Sequence, residues 1–167
     1  MKIIYASDIH ESYKNLQHLF NLTQADLYII AGDLLYSAFP CWELAGRFTE
    51  LQQRVYSWGL SHGIPGSRFD IARHMLTAST AGPIGYALAK EFLRLTGLAR
   101  KSMLRKFERI ARIFSRSGRQ ILTIPGNYDI DIEKTALAPW NLHLNTRTIN
   151  GITFAGYGGS PVFTPGI

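Results

Sequence analysis

Cysteine is all but missing from this chain of 167 residues, with Cys41 standing alone. That excludes a disulfide framework and a thiolate metal cage, and it makes a reducing cytoplasm the expected location. Cys41 itself is expected to be a small buried apolar group. Long apolar runs are missing too. The opening MKIIYASDIH has one Lys and only a short apolar stretch before Ser7 and Asp8, too short for the apolar region of a secretory leader or for a membrane span. Neither an internal repeat nor a low-complexity tract is visible.

Acidic residues are scarce, with 12 Asp plus Glu against 18 Lys plus Arg and a net charge of +6. The imbalance is local. Residues 34–125 carry 14 Lys plus Arg against 5 Asp plus Glu, whereas the rest carries 4 against 7. Such a segment attracts phosphate-bearing partners, nucleic acid, nucleotide or an anionic membrane surface, and a solvated helix face has the same composition. With 46% apolar and 18% charged residues, the whole fits a globular domain with a real core.

Along the chain, Lys2–Ala6 reads as a β-rich run. Ser7, Asp8 and Glu11 then precede the apolar series Leu16, Leu19, Phe20 and Leu22 of a helix. After Asp26, LYIIA is a second buried-looking strand, stopped by Gly32-Asp33. Two strands bracketing one helix imply a right-handed βαβ unit with parallel strands. From 100 to 117, Met103, Leu104, Phe107, Ile110, Ala111 and Phe114 share one side. Arg100, Lys101, Arg105, Lys106, Arg109, Arg112 and Arg116 take the other, as in an amphipathic helix closed by Gly118. Arg119–Ile124 is the third strand. Thr146–Ile149, Asn150-Gly151 and Ile152–Ala155 read as a hairpin on a type I′ turn, and an irregular tail with Pro161 and Pro165 follows.

A stretch of about 37–97 exceeds what a minimal βαβ unit needs. Its apolar spacing (Leu44, Phe48, Leu51, Val55, then Tyr86, Leu88, Phe92, Leu95) and the loops SHGIPGS and STAGP mark a helical insertion within a single domain spanning 1–167. Trp42, Trp58 and nearby Tyr residues are expected in its core rather than on a base-stacking platform.

The three strands end alike in one respect. Asp8-Ile9-His10 follows the first, Gly32-Asp33 the second and Gly126-Asn127-Tyr128-Asp129 the third. The C-terminal ends of parallel strands meet at one edge, where open α/β sheets bind ligands, so Asp8, His10, Asp33 and Asn127 are placed to converge. Carboxylate, imidazole and amide oxygen donors make a set suited to manganese, iron or zinc. Alone, Pro125 to Asp129 also reads as a plain turn.

The order D-x-H, GD, GN-x-D, each after an apolar strand, resembles the calcineurin-like metallophosphoesterases. The likeness covers residues 1–33 and 98–160 and takes in the hairpin and the stretch GYGGS. It implies an α/β fold, half of that family's α/β-β/α sandwich, with a mostly parallel sheet, flanking helices and a cap-like insertion. It implies two divalent ions, Asp8 and His10 holding one, Asp33 bridging both and Asn127 holding the second. A bridging hydroxide would then attack a phosphomonoester or phosphodiester. In the commonest family form the residue after the Asn is a His that assists the leaving group. Here Tyr128 stands in that place, a neutral hydrogen-bond donor at pH 7. Asp129 is expected to order the loop.

The family completes its site with a later His and a Gly-His-x-His pair. After Asn127 the one histidine is His143, in NLHLN, where an alternating strand is expected. The resemblance therefore implies a fragment or truncated reading frame. Its sheet face and edge would be uncovered, and its site completed by further polypeptide or by a partner chain such as a second copy. His18 is read as an exposed or packing helix residue, while His62 and His74 fall in the insertion. Two other readings stay open, a non-catalytic scaffold and a basic nucleic-acid-binding module.

Overall fold

The structure, a computed structural model, describes residues 1–159. The expected tail with Pro161 and Pro165, and Ser160 of the Gly-rich stretch, lie outside the described residues. Strand β1 (Ile3–Ser7), helix α1 (Tyr13–Leu22), β2 (Leu27–Ala31), α2 (Trp42–Ser61), α3 (Arg68–Met75), α4 (Gly82–Ser117), β3 (Ile121–Ile124) and the strands β4 (Asn145–Ile149) and β5 (Ile152–Gly156) follow in order. Short 3-10 turns lie at Ser79–Ala81, Ile132–Lys134 and Ala138–Trp140. The fold is mixed α/β. By its internal contacts the chain forms two compact units, one of Met1–Ala38 with the described chain from Met103 onward, the other Phe39–Ser102.

In the first unit, β1, β2 and β3 form a parallel sheet in that order, with Ile3 opposite Leu27 and Ile29 opposite Leu122. The central strand β2 is the most apolar, and Leu27, Tyr28, Ile30 and Ala31 are all buried. Tyr28, Ile30 and Ile121 share one face with Leu16 and Phe20 of α1 and Met103, Phe107, Ile110 and Phe114 of α4. Each such Leu, Ile or Phe contributes on the order of 1.5–3 kcal/mol by leaving water. Edge-to-face rings link the layers, Phe20 with Tyr28 at 5.2 Å and with Phe114 at 6.0 Å.

The opposite face is thinner, with Leu27, Leu122 and Leu142 buried and Ile29, Ile124, Ile149 and Phe154 half-covered around them. At the sheet edge, β1 pairs with β2 alone among the described strands, and Ile3 and Tyr5 are 41% and 65% exposed. The hairpin β4–β5 turns at Asn150 and Gly151, both at positive φ (50° and 78°) as a type I′ turn requires.

In the unit Phe39–Ser102, α2, α3 and the first part of α4 bury Phe39, Phe48, Leu51, Val55, Ile71, Met75, Phe92 and Leu95. Phe48 and Phe92 stack at 5.4 Å. Helix α3 opens on a capping box, Ser67 Oγ accepting from Asp70 N while the Asp70 carboxylate accepts from Ser67 N. No helix among the described residues is long and apolar enough to cross a membrane.

Five expectations are corrected. Cys41 is exposed, because it occupies the extended position just before α2 rather than its packed stripe. Trp42 is 71% exposed. As the first residue of α2 it lies about a third of a turn from the row Phe48, Leu51, Val55 and Gly59, and Trp58 is only half-buried. The helix read over 100–117 begins at Gly82 instead, α4 running unbroken through Gly97; one glycine costs a long helix only about 1 kcal/mol. Strand β3 starts at Ile121, because the backbone N–H of Arg119 donates to the Ser117 hydroxyl at 3.2 Å instead of to the sheet. NLHLN forms isolated bridges, Thr123 with Asn141 and His143 with Gly156, in place of an alternating strand. Leu142 N donating to Thr123 O at 2.8 Å holds it there.

Candidate metal centre

The loops after β1, β2 and β3 lie together at the C-terminal edge of the sheet, and backbone hydrogen bonds join them. His10 N donates to Asp33 O at 2.9 Å, Glu11 N to Leu34 O at 3.0 Å and Gly32 N to Ile124 O at 3.0 Å. Asp8, His10, Glu11 and Asp33 all sit at positive φ, at 55°, 44°, 62° and 24°. Residues with a Cβ pay about 1–3 kcal/mol each for such backbone, which persists where the surroundings impose it and which clusters at functional sites.

This strained backbone brings three donors together. One ligand atom each from Asp8, His10 and Asp33 lies within 4.8 Å of the others. Asp8 is exposed, His10 half-buried and Asp33 buried. His10 Nδ1 faces the Leu35 carbonyl at 3.3 Å, and His10 Nε2 faces Asp8 Oδ1 at 3.8 Å. A proton on Nδ1 is the one the carbonyl can accept, leaving the Nε2 lone pair directed toward Asp8. That is how outer partners orient a metal-binding imidazole.

The third loop closes on Asp33. Tyr128 N donates to Asp33 Oδ1 at 3.1 Å, and the Asn127 amide lies 3.1 Å from both Asp33 oxygens. With its nitrogen inward, the amide donates to both. With its oxygen inward, three acceptors would face one another, an arrangement that only a cation between them makes favourable. The Tyr36 and Tyr128 rings stand edge-on to His10, with centroids at 5.9 and 6.5 Å.

Asp129 anchors the arrangement from below. Its Oδ2 accepts from Leu34 N at 3.0 Å and Gly126 N at 2.9 Å, and its Oδ1 from Leu35 N at 3.1 Å. Burial raises its pKa above the ordinary carboxylate value, the three N–H groups pull it back, and the charge of Asp33 adds to the rise. Asp129 thus ties the β2 and β3 loops together.

The donor set can hold a divalent ion. Asp8, His10, Asp33, Asn127 and Tyr128 are all brought to one edge of the sheet. His18 is exposed on α1. His62 and His74 belong to the Phe39–Ser102 unit, where His62 stacks on Trp58 at 4.1 Å. His143 Nδ1 accepts from Gly158 N at 2.9 Å, a structural bond.

Sequence reasoning missed Glu11 as a brace. Its Oε1 accepts from Tyr36 N at 3.1 Å and from Lys106 Nζ at 2.7 Å, and Lys106 also donates to the Ser37 carbonyl at 2.7 Å. Lys106 is therefore not part of the solvated helix face expected of it. A signal existed in the third position after Asp8, an acid before a helix, but its partner lies 95 residues away. Comparison with protein-family models, curated proteins and solved structures finds no match.

Proposed function

We propose that this chain is a divalent-metal-dependent phosphoesterase of the calcineurin-like type, built on half of an α/β-β/α sandwich and hydrolysing a phosphomonoester or phosphodiester. The observation that carries this reading is the convergence of Asp8, His10 and Asp33 within 4.8 Å at the ends of two parallel strands. The Asn127 amide joins them on Asp33 from the third strand. Asp8, His10 and Asp33 would hold one manganese, iron or zinc ion, and Asp33 with Asn127 a second. Ions held by these residues would supply Lewis-acid chemistry, polarising a phosphoryl oxygen and bringing the pKa of water toward neutrality.

The remaining work falls to the chain's own groups. Asp129 and Glu11 hold the loops, the Leu35 carbonyl holds the His10 tautomer, and Tyr128, 55% exposed beside His10, offers a hydroxyl to the phosphate or the leaving oxygen. A neutral phenol donates one hydrogen bond but brings no positive charge.

Calorimetric titration with Mn²⁺ and release of nitrophenol from bis(p-nitrophenyl) phosphate and p-nitrophenyl phosphate test the proposal, with Asp33→Asn as control. Saturable Mn²⁺ binding is expected, together with turnover that EDTA abolishes. The control should lose at least the 10–100-fold that even outer partners of a metal cost. Equal rates in Asp33→Asn, or turnover indifferent to EDTA, would overturn it.

A further inference from the structure

Helix α1 and the part of α4 from Met103 to Ser117 run side by side in the same direction. Lys106 meets Glu11, Arg109 lies 4.0 Å over the Tyr13 ring, Phe114 meets Phe20, and Arg119 reaches the Phe20 and Thr23 carbonyls. Their apolar sides are buried together, so the outer surface of the pair is polar. Arg105, Arg109, Arg112 and Arg116 recur there at steps of four, three and four, and all four are exposed. At 3.6 residues per turn they fall within an arc of about 60°, and at 1.5 Å per residue the row is about 16 Å long.

None of the four forms an ion pair with a carboxylate among the described residues. Glu108 is the one acid from 103 to 117, and it meets Arg112 only through its backbone carbonyl, which accepts from Nε at 3.3 Å. The neighbouring helix adds exposed Lys14 and no acid. Between the helices a cleft of about 350 Å³ is lined by Gln17, His18, Asn21, Arg116 and Ser117 among others. Like charges lined up in this way repel one another, and a regularly spaced anion removes that cost.

The chemistry of the row selects among anions. All four cations are guanidinium groups, whose planar forks match phosphate oxygens in pairs. A membrane-surface helix needs Trp, Phe or Leu outward beside its cations. Here the exposed positions from 105 to 116 are Arg, Glu, Arg, Arg, Ser and Arg, because the core has taken the apolar side. We infer that this helix face is a docking surface for the phosphate backbone of a nucleic acid. Its first Arg adjoins Lys106, which is bonded to Glu11 in the loop of His10.

Anisotropy of a labelled duplex oligonucleotide across a salt series, in EDTA, tests the inference on the full chain. Because no metal is present, the outcome is independent of the phosphoesterase proposal. Binding is expected whose logarithm falls linearly with that of the salt concentration. In the Arg105→Gln/Arg112→Gln/Arg116→Gln variant the slope should be less steep by about 2 to 3, at roughly 0.9 per phosphate contact, with affinity at low salt down at least tenfold and an unchanged melting temperature. An unaltered slope in that variant would overturn the inference, as would binding to phosphatidylglycerol vesicles with none to the oligonucleotide.

Discussion

Gly126 and Asp33, 93 positions apart in the chain, lie so close that a β-carbon on the glycine would overlap both the backbone nitrogen and Oδ1 of the aspartate. The space a side chain would need is filled by the carboxylate at the middle of the candidate metal centre. Gly126→Ala must displace either β3's loop or Asp33. A loss of about 1–3 kcal/mol, the usual cost of overpacking, is expected. Mn²⁺ affinity should fall as well, which calorimetry on the folded variant would register. Retention of wild-type stability would show that the loops do not meet there.

Gly97, in the middle of α4, is the opposite case, since a β-carbon there meets nothing within 4 Å and its φ is not positive. Gly97→Ala should stabilise the protein by about 0.5–1 kcal/mol through helix propensity alone. Urea unfolding would measure it. A destabilised variant would contradict an unbroken helix from Gly82 to Ser117.

The Glu11–Lys106 pair is about four-fifths buried on both sides, at 22% and 20% exposure. Removing either charge leaves the other largely buried without its counter-ion, and a loss of about 1–3 kcal/mol is expected for Glu11→Gln or Lys106→Met. The double variant should lose less than the two together. Strict additivity in the cycle would dissolve the proposed brace between the His10 loop and α4.

Asp129 carries a pH signature whose sign follows from its environment. Burial, the largest influence, raises its pKa above that of an unfolded Asp, even though three backbone N–H groups favour the carboxylate. A group with a raised folded pKa adds stability below the unfolded value and loses it as pH rises through the folded one. Relative to Asp129→Asn, the wild type should therefore gain stability as the solution is acidified in metal-free buffer. Melting temperatures of the two proteins across acid to neutral pH would show a widening gap in acid. A gap independent of pH would mean that Asp129 does not titrate as its burial demands.

Much of the frame was legible because its causes are local. Strand LYIIA coincides with β2, the Asn150-Gly151 turn requires two positive φ values that only a few residues tolerate, and the 3.6-residue rhythm of Met103, Phe107, Ile110 and Phe114 marks the buried side of α4. Parallel pairing followed from the βαβ order, and with it the gathering of Asp8, His10, Asp33 and Asn127 at one edge. Cys41 and Trp42 were misjudged because composition predicts average burial, not position relative to a helix's packed stripe.

By itself, the order of residues determined which segments become strands and helices and which polar groups stand where those strands stop, since periodicity and turn chemistry act over a few positions. Tertiary structure alone decided that the Leu35 carbonyl selects the His10 nitrogen, that Gly126 must lack a side chain, and that Asp129 holds Leu34 and Leu35. It also withdrew Lys106 from the basic row while leaving Arg105, Arg109, Arg112 and Arg116 in solvent. Those outcomes join groups from about 25 to 95 residues apart, a range over which no local preference acts and only packing sets the distance.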